Sequence, residues 1–144
     1  MNMEQLRNMV KSDLVMDKTE LDIESMKTPQ IHNKYLVMYT DEKLIMGKLE
    51  SDFNILKKDK WLYYTGKMSP EQLKERGWET FDLNLLKTDI DKFLISDEDL
   101  IKIANKILFQ KEKVNYLESV IKIINNRQWN IRAAIDWLKF TSGA

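Results

Sequence analysis

Residues 56–67 read Leu-Lys-Lys-Asp-Lys-Trp-Leu-Tyr-Tyr-Thr-Gly-Lys, which interleaves four lysines with three aromatic rings and a hydroxyl. Lysines neutralise phosphates, and flat rings stack on unpaired bases. A surface for single-stranded nucleic acid needs both. The candidate contacts are therefore Lys57, Lys58, Lys60, Trp61, Tyr63, Tyr64, Thr65 and Lys67. Asp59 falls inside the run and dilutes its positive field. A second arrangement fits the same residues: the rings pack inward from a helix and the lysines solvate its outer face. Lys74, Arg76, Lys111, Lys113, Lys122, Arg127 and Arg132 could extend a basic surface, although each alone also reads as a solvated charge.

Little else in the chain is suited to chemistry. His32 is the one histidine and there is no cysteine, so the usual zinc sites are out of reach. A Ser-His-Asp triad would have to use His32, and no serine elbow accompanies it. Neither a GxxxxGK[ST] loop nor a GxGxxG fingerprint occurs. Asp89 with Asp91, and Asp97 with Asp99, lack the spacing and glycine of a calcium loop and read as solvated or capping residues. The expectation is a binding protein, not an enzyme, without metal or cofactor.

The bulk composition frames that expectation. A chain of 144 residues fits one domain, and 43% hydrophobic with 32% charged residues suits helices with charged outer faces. Zero net charge counts against a stand-alone DNA-binding domain, although local patches matter more than totals. No apolar run reaches the roughly 20 residues that span a bilayer. The first residues mix Glu4, Arg7, Lys11 and Asp13 among apolar ones, unlike a signal peptide. The expected location is the cytoplasm, with no membrane partner.

Helices must position the lysine-aromatic run. Leu6, Val10 and Leu14 predict a helix over 3–16, and Thr19 offers a cap for a short segment with Leu21 and Ile23. Pro29 should break that segment, with helix resuming through Ile31, Tyr35, Leu36 and Tyr39. Thr40 or Asp41 can cap a helix over 42–64 whose inward face holds Leu44, Ile45, Leu49, Phe53 and Leu56; Gly66 then stops it. Ser69-Pro70-Glu71-Gln72 is a capping box that opens a short helix, and Gly77 closes it. Trp78 and Phe81 should fasten the following loop. A further helix is expected over 83–94, with Leu86, Ile90 and Phe93 or Leu94 inward.

Ser96 with Asp97, Glu98 and Asp99 marks another helix start. Beyond it Ile103, Ile107, Gln110, Val114, Leu117, Ile121 and Ile124 step by four and three, as in a coiled-coil seam. The seam fits either the core of a bundle or self-association. Asn125, Asn126 and Arg127 break the pattern before a last helix over 129–140, and 142–144 should fray. The expected architecture is all-α: one elongated domain over 1–144. Its N-terminal helices (1–66) carry the nucleic-acid stretch and its C-terminal helices (96–141) carry self-association.

These residues resemble the UvsY recombination mediator proteins of T-even-like bacteriophages. The most specific piece is the lysine run ending in Tyr63-Tyr64-Thr65-Gly66. Leu6, Lys11, Asp13, Asp17 and Leu21 fall in a similar pattern, as does His32-Asn33-Lys34-Tyr35-Leu36. So does the close, from Asn126-Arg127-Gln128-Trp129-Asn130-Ile131-Arg132 to Phe140-Thr141-Ser142-Gly143-Ala144. The likeness spans most of the chain and is weakest over 67–100. It implies a ring-like homo-oligomer, a hexamer or heptamer, that binds single-stranded DNA. It also implies work with a phage RecA-like recombinase and a phage single-strand-binding protein, in the host cytoplasm, during recombination, repair and replication. By the same likeness the DNA-binding cluster falls on Lys57, Lys58 and Lys60 with Thr65, and Asp59 departs from a purely basic cluster. Self-association would fall on Ile107, Val114, Leu117, Ile121 and Ile124. The competing reading is a helical protein–protein adaptor with no affinity for nucleic acid.

Overall fold

The computed structural model of the chain describes residues 1–143; Ala144, at the expected frayed end, lies outside them. Among the described residues there are five helices and no strand. They are α1 (Met3–Leu14), α2 (Leu21–Tyr64), α3 (Pro70–Arg76), α4 (Lys87–Ile95) and α5 (Glu98–Thr141). None of the described helices is long and apolar enough to cross a membrane.

Local signals set several boundaries. Asn2 opens α1 with a capping box: its side-chain oxygen accepts from the Gln5 N–H at 2.8 Å, and the Gln5 side chain accepts from the Asn2 N–H at 3.0 Å. Ser69 and Gln72 form the expected box on α3. Gly66 and Gly77, both at φ 71°, take the left-handed conformation that ends α2 and α3. Asp97, rather than Ser96, caps α5: its carboxylate accepts from the Leu100 N–H at 3.0 Å. The helix before it starts later than expected. Leu86 stands at its N-cap in extended conformation and stays 72% exposed, not inward; Leu94 is buried, and Ile90 and Phe93 are half-buried.

Three expected breaks are absent. α2 runs unbroken for 44 residues through Pro29. Proline inside a helix deletes one backbone hydrogen bond and costs about 3 kcal/mol. Packing on both sides of it outweighs that cost. Upstream, Arg127 donates to the Glu24 carbonyl and, at 2.7 Å, to the Thr28 hydroxyl; downstream, Tyr35 is completely buried. Thr40 does not cap anything, and its hydroxyl donates to the Leu36 carbonyl within the helix. α5 is likewise unbroken for 44 residues. Asn125 and Asn126 lie on its exposed side, while Arg127 is inward and paired, so the apolar stripe continues through Ile124, Arg127 and Ile131.

The chain gathers into two compact units. The first takes Met1–Lys43 and the chain from Glu112 onward; the second takes Leu44–Lys111. Both long helices contribute to each unit. The core of the first is Leu6 and Val10 of α1, Tyr35 of α2, and Leu117, Val120 and Ile124 of α5. The buried charged side chains inside it are paired, although the Arg127 Nε has no hydrogen-bond partner. Arg127 bonds the Glu24 carboxylate, and Lys113 lies 3.0 Å from Glu42 and donates to the Met1 carbonyl at 3.0 Å. The Tyr35 hydroxyl donates to Asp13 at 2.7 Å, as does Lys34. Burial pushes the Tyr35 phenol well above its usual range, and the Asp13 carboxylate beside it adds to the shift. The second unit packs around Leu94, Leu100 and a cluster of rings.

Candidate nucleic-acid interface

The lysine-aromatic run forms the last turns of α2, in the second unit, and helical geometry divides it. Residues three and four apart share a face. Lys60, Tyr63 and Tyr64 therefore point together, and they point inward. Tyr63 meets Tyr64, Trp78 and Phe81 at ring-centroid distances of 5.3, 5.3 and 5.4 Å. Tyr64 reaches Phe81 and Phe93 at 5.1 and 5.6 Å. Trp78 and Phe81 thus fasten the segment after α3, as expected. Tyr63 and Tyr64 are half-buried in this ring cluster, which turns them toward the core and away from the exposed lysines.

Lys60 goes inside with them and is only 6% exposed. Its ammonium lies 3.1 Å from Asp97 and 2.9 Å from Asp99, and 4.0 Å from the centre of the Trp78 ring. The Tyr64 hydroxyl donates to Asp97 at 2.5 Å. Burial alone pushes the Asp97 carboxyl up, but hydrogen bonds from Tyr64, the Leu100 N–H and Lys60 outweigh it and hold the carboxyl below its usual range. Burial raises the Tyr64 phenol, and the Asp97 carboxylate raises it further. Lys60 is thus neutralised within the fold and is not placed to meet a phosphate. Thr65 is half-buried, and its hydroxyl donates back to the Trp61 and Leu62 carbonyls at 2.7 and 3.2 Å.

What remains outside is Lys57, Lys58, Trp61 and Lys67, all exposed. None of these lysines enters an ion pair among the described residues. Lys67 sits 4.7 Å above the Trp61 ring, which is 40% exposed. The dilution expected from Asp59 is offset, because Arg76 bonds its carboxylate at 2.5 and 3.1 Å. That pair also removes Arg76 from the free basic surface. The arrangement can hold a phosphate chain beside one accessible ring. Among the described residues, no group of three or more His, Cys, Asp or Glu side chains is placed to hold a metal ion.

The seam residues are also placed. Val114, Leu117 and Ile124 are buried in the first unit's own core, and Ile121 packs half-buried against it. Ile107 is half-buried in the second unit. Val114, Leu117 and Ile124 are spent within one chain and offer no surface to another; Ile107 and Ile121 keep part of theirs. The exposed apolar residues of α5 lie elsewhere, with Trp129, Trp137, Leu138 and Phe140 prominent among them. Sequence reasoning missed Asp97 and Asp99 as partners of Lys60. The signal was present in the spacing: Lys60 precedes Tyr63 and Tyr64 by three and four residues, so rings that pack inward bring Lys60 with them.

Comparison with known proteins agrees with this fold over nearly the whole chain. The model of the family described as "Recombination, repair and ssDNA binding protein UvsY" matches residues 9–144. The recombination protein uvsY of Enterobacteria phage T4 is 21% identical over 143 residues, covering 99% of each chain. Two crystal structures of the bacteriophage T4 recombination mediator protein UvsY superpose with TM-score 0.85 at 20% identity. One match covers 97% of this chain and 99% of the other; the second covers 99% and 98%. The chain therefore belongs to the UvsY family of recombination, repair and single-stranded-DNA-binding proteins.

Proposed function

We propose that this chain is a recombination mediator that holds single-stranded DNA on Lys57, Lys58, Trp61 and Lys67. In that role it helps a RecA-like recombinase replace single-strand-binding protein on the strand. The observation that carries the reading is the set of exposed, unpaired lysines around an accessible indole at the end of α2. Lysines supply the salt-sensitive part of binding, and the ring supplies stacking that tolerates any base. It acts by binding and not by catalysis, in the cytoplasm of the phage's host.

Assembly belongs to the same reading. One small patch on a chain of zero net charge binds weakly. A closed homo-oligomer, a hexamer or heptamer, repeats the patch, and linked sites raise overall affinity by about 10² to 10⁴-fold. Trp129, Trp137, Leu138 and Phe140, exposed toward the end of α5, are the surface assigned to self-association. Moderate affinity per site suits a protein that must hand its strand on.

The test is binding of fluorescent poly-dT across a salt series, with particle mass measured in the same buffer. Salt-sensitive binding by a multimer supports the mediator. A monomer without affinity at low salt overturns it and leaves a helical adaptor.

A further inference from the structure

A second lysine-aromatic constellation occurs in the second unit, on α5. Lys102, Asn105, Lys106, Phe109 and Gln110, with Leu49 of α2, line an open concavity of about 400 Å³. Positions 102, 105, 106 and 109 are separated by three and four, so they share one face of the helix. Lys102 and Lys106 are exposed and enter no ion pair among the described residues. Phe109 is 50% exposed. No carboxylate lines the concavity, and α5 carries no acid between Asp99 and Glu112.

We infer that this concavity is a second contact for single-stranded DNA, with Lys102 and Lys106 on neighbouring phosphates and Phe109 against a base. The inference rests on the single-strand reading above and adds a site to it. Lys106 and Phe109 repeat the three-residue spacing of Lys58 and Trp61 in the same unit. A rise of about 1.5 Å per residue sets Lys102 and Lys106 about 6 Å apart along the axis. Long flexible side chains at that spacing can follow an extended phosphate chain. The lining combines two cations with Leu49 and an accessible ring. That combination fits a base and its phosphates better than an acidic peptide, which would leave Phe109 without a matching apolar group.

The experiment uses the full chain, fluorescent poly-dT and a salt series, with particle mass and helicity measured alongside. Lys102→Ala with Lys106→Ala should lower the slope of log affinity against log salt by about 1.4 for each copy that meets the strand, from about 0.7 per phosphate contact. Phe109→Ala should weaken binding about tenfold with the slope kept. Particle mass and helicity should not change. If the unaltered chain binds, Lys57→Ala with Lys58→Ala lowers the slope, and the α5 variants bind like the unaltered chain, the second contact is refuted while the first stands. If the unaltered chain has no affinity, the single-strand reading itself fails. A fall in particle mass for the α5 variants would make the concavity an interface between copies and overturn the inference. So would unchanged DNA binding with loss of affinity for poly-glutamate.

Discussion

Lys58 and Lys60 are two residues apart, and a helix turns them to opposite sides. One is exposed and the other is locked between Asp97, Asp99 and Trp78. Their substitutions should therefore fail differently. Lys60→Ala leaves Asp97 buried without its cation and should cost about 3 kcal/mol in urea unfolding. Lys57→Ala with Lys58→Ala should leave stability within about 0.5 kcal/mol and lower the salt slope of DNA binding by about 1.4 for each copy that meets the strand. If Lys60→Ala kept full stability while losing salt-dependent affinity, the buried position of Lys60 would be wrong. Asp97 adds a pH dependence. Its carboxyl is depressed in the fold, so its stabilisation is complete above the ordinary carboxylate value, about 3.9, and is lost as pH falls through the depressed value. Asp97→Asn should be less stable at neutral pH and lose less on acidification; an unchanged acid limb would show that Asp97 contributes nothing to it.

At the scale of elements, α2 and α5 are where local signals and packing disagree. Pro29 and Gly47 both lie in the interior of α2 at exposed positions. Pro29→Ala should raise stability by about 1 to 3 kcal/mol, and Gly47→Ala by about 1 kcal/mol. A Cβ at Gly47 meets nothing within 4 Å. Thermal unfolding of each variant checks both; a loss at Pro29 would mean that the proline is part of what holds the helix in place. The boundaries legible in the sequence were those set by residues close together in the chain: the Ser69 capping box, the Gly66 and Gly77 stops and the start of α1. The continuity of α2 and α5 was not legible, because Arg127 and Glu24 settle it from 103 residues apart. The candidate site was legible as a run of residue types. Which lysine would be consumed by the fold depended on Asp97 and Asp99, whose pairing lies outside any local pattern.

For the molecule as a whole, the proposed function makes affinity depend on copies more than on charge. Trp137 and Phe140 stack at 5.8 Å and are 64% and 75% exposed, an apolar pair facing solvent near the end of α5. Trp137→Ala with Phe140→Ala should lower particle mass toward the single chain, leave helicity unchanged and weaken poly-dT binding at least tenfold. Retention of the multimer would move the association surface elsewhere. Leu117→Asp is a poor test of assembly, since a charge placed on a fully buried core position unfolds the first unit before it reports on contacts between chains.

The burial of Lys60 and Lys113 also separates the lysines by chemical reactivity. Both ammonium groups are held against carboxylates and are at most 8% exposed, while Lys57, Lys58, Lys102 and Lys106 stand in solvent. An acylating reagent applied to the folded chain should label the second set within minutes and spare the first. Adding poly-dT should then protect only lysines that meet the strand, and urea should expose Lys60 and Lys113. One labelling map, read by mass spectrometry, would report the fold and the DNA path through different residues of the same type.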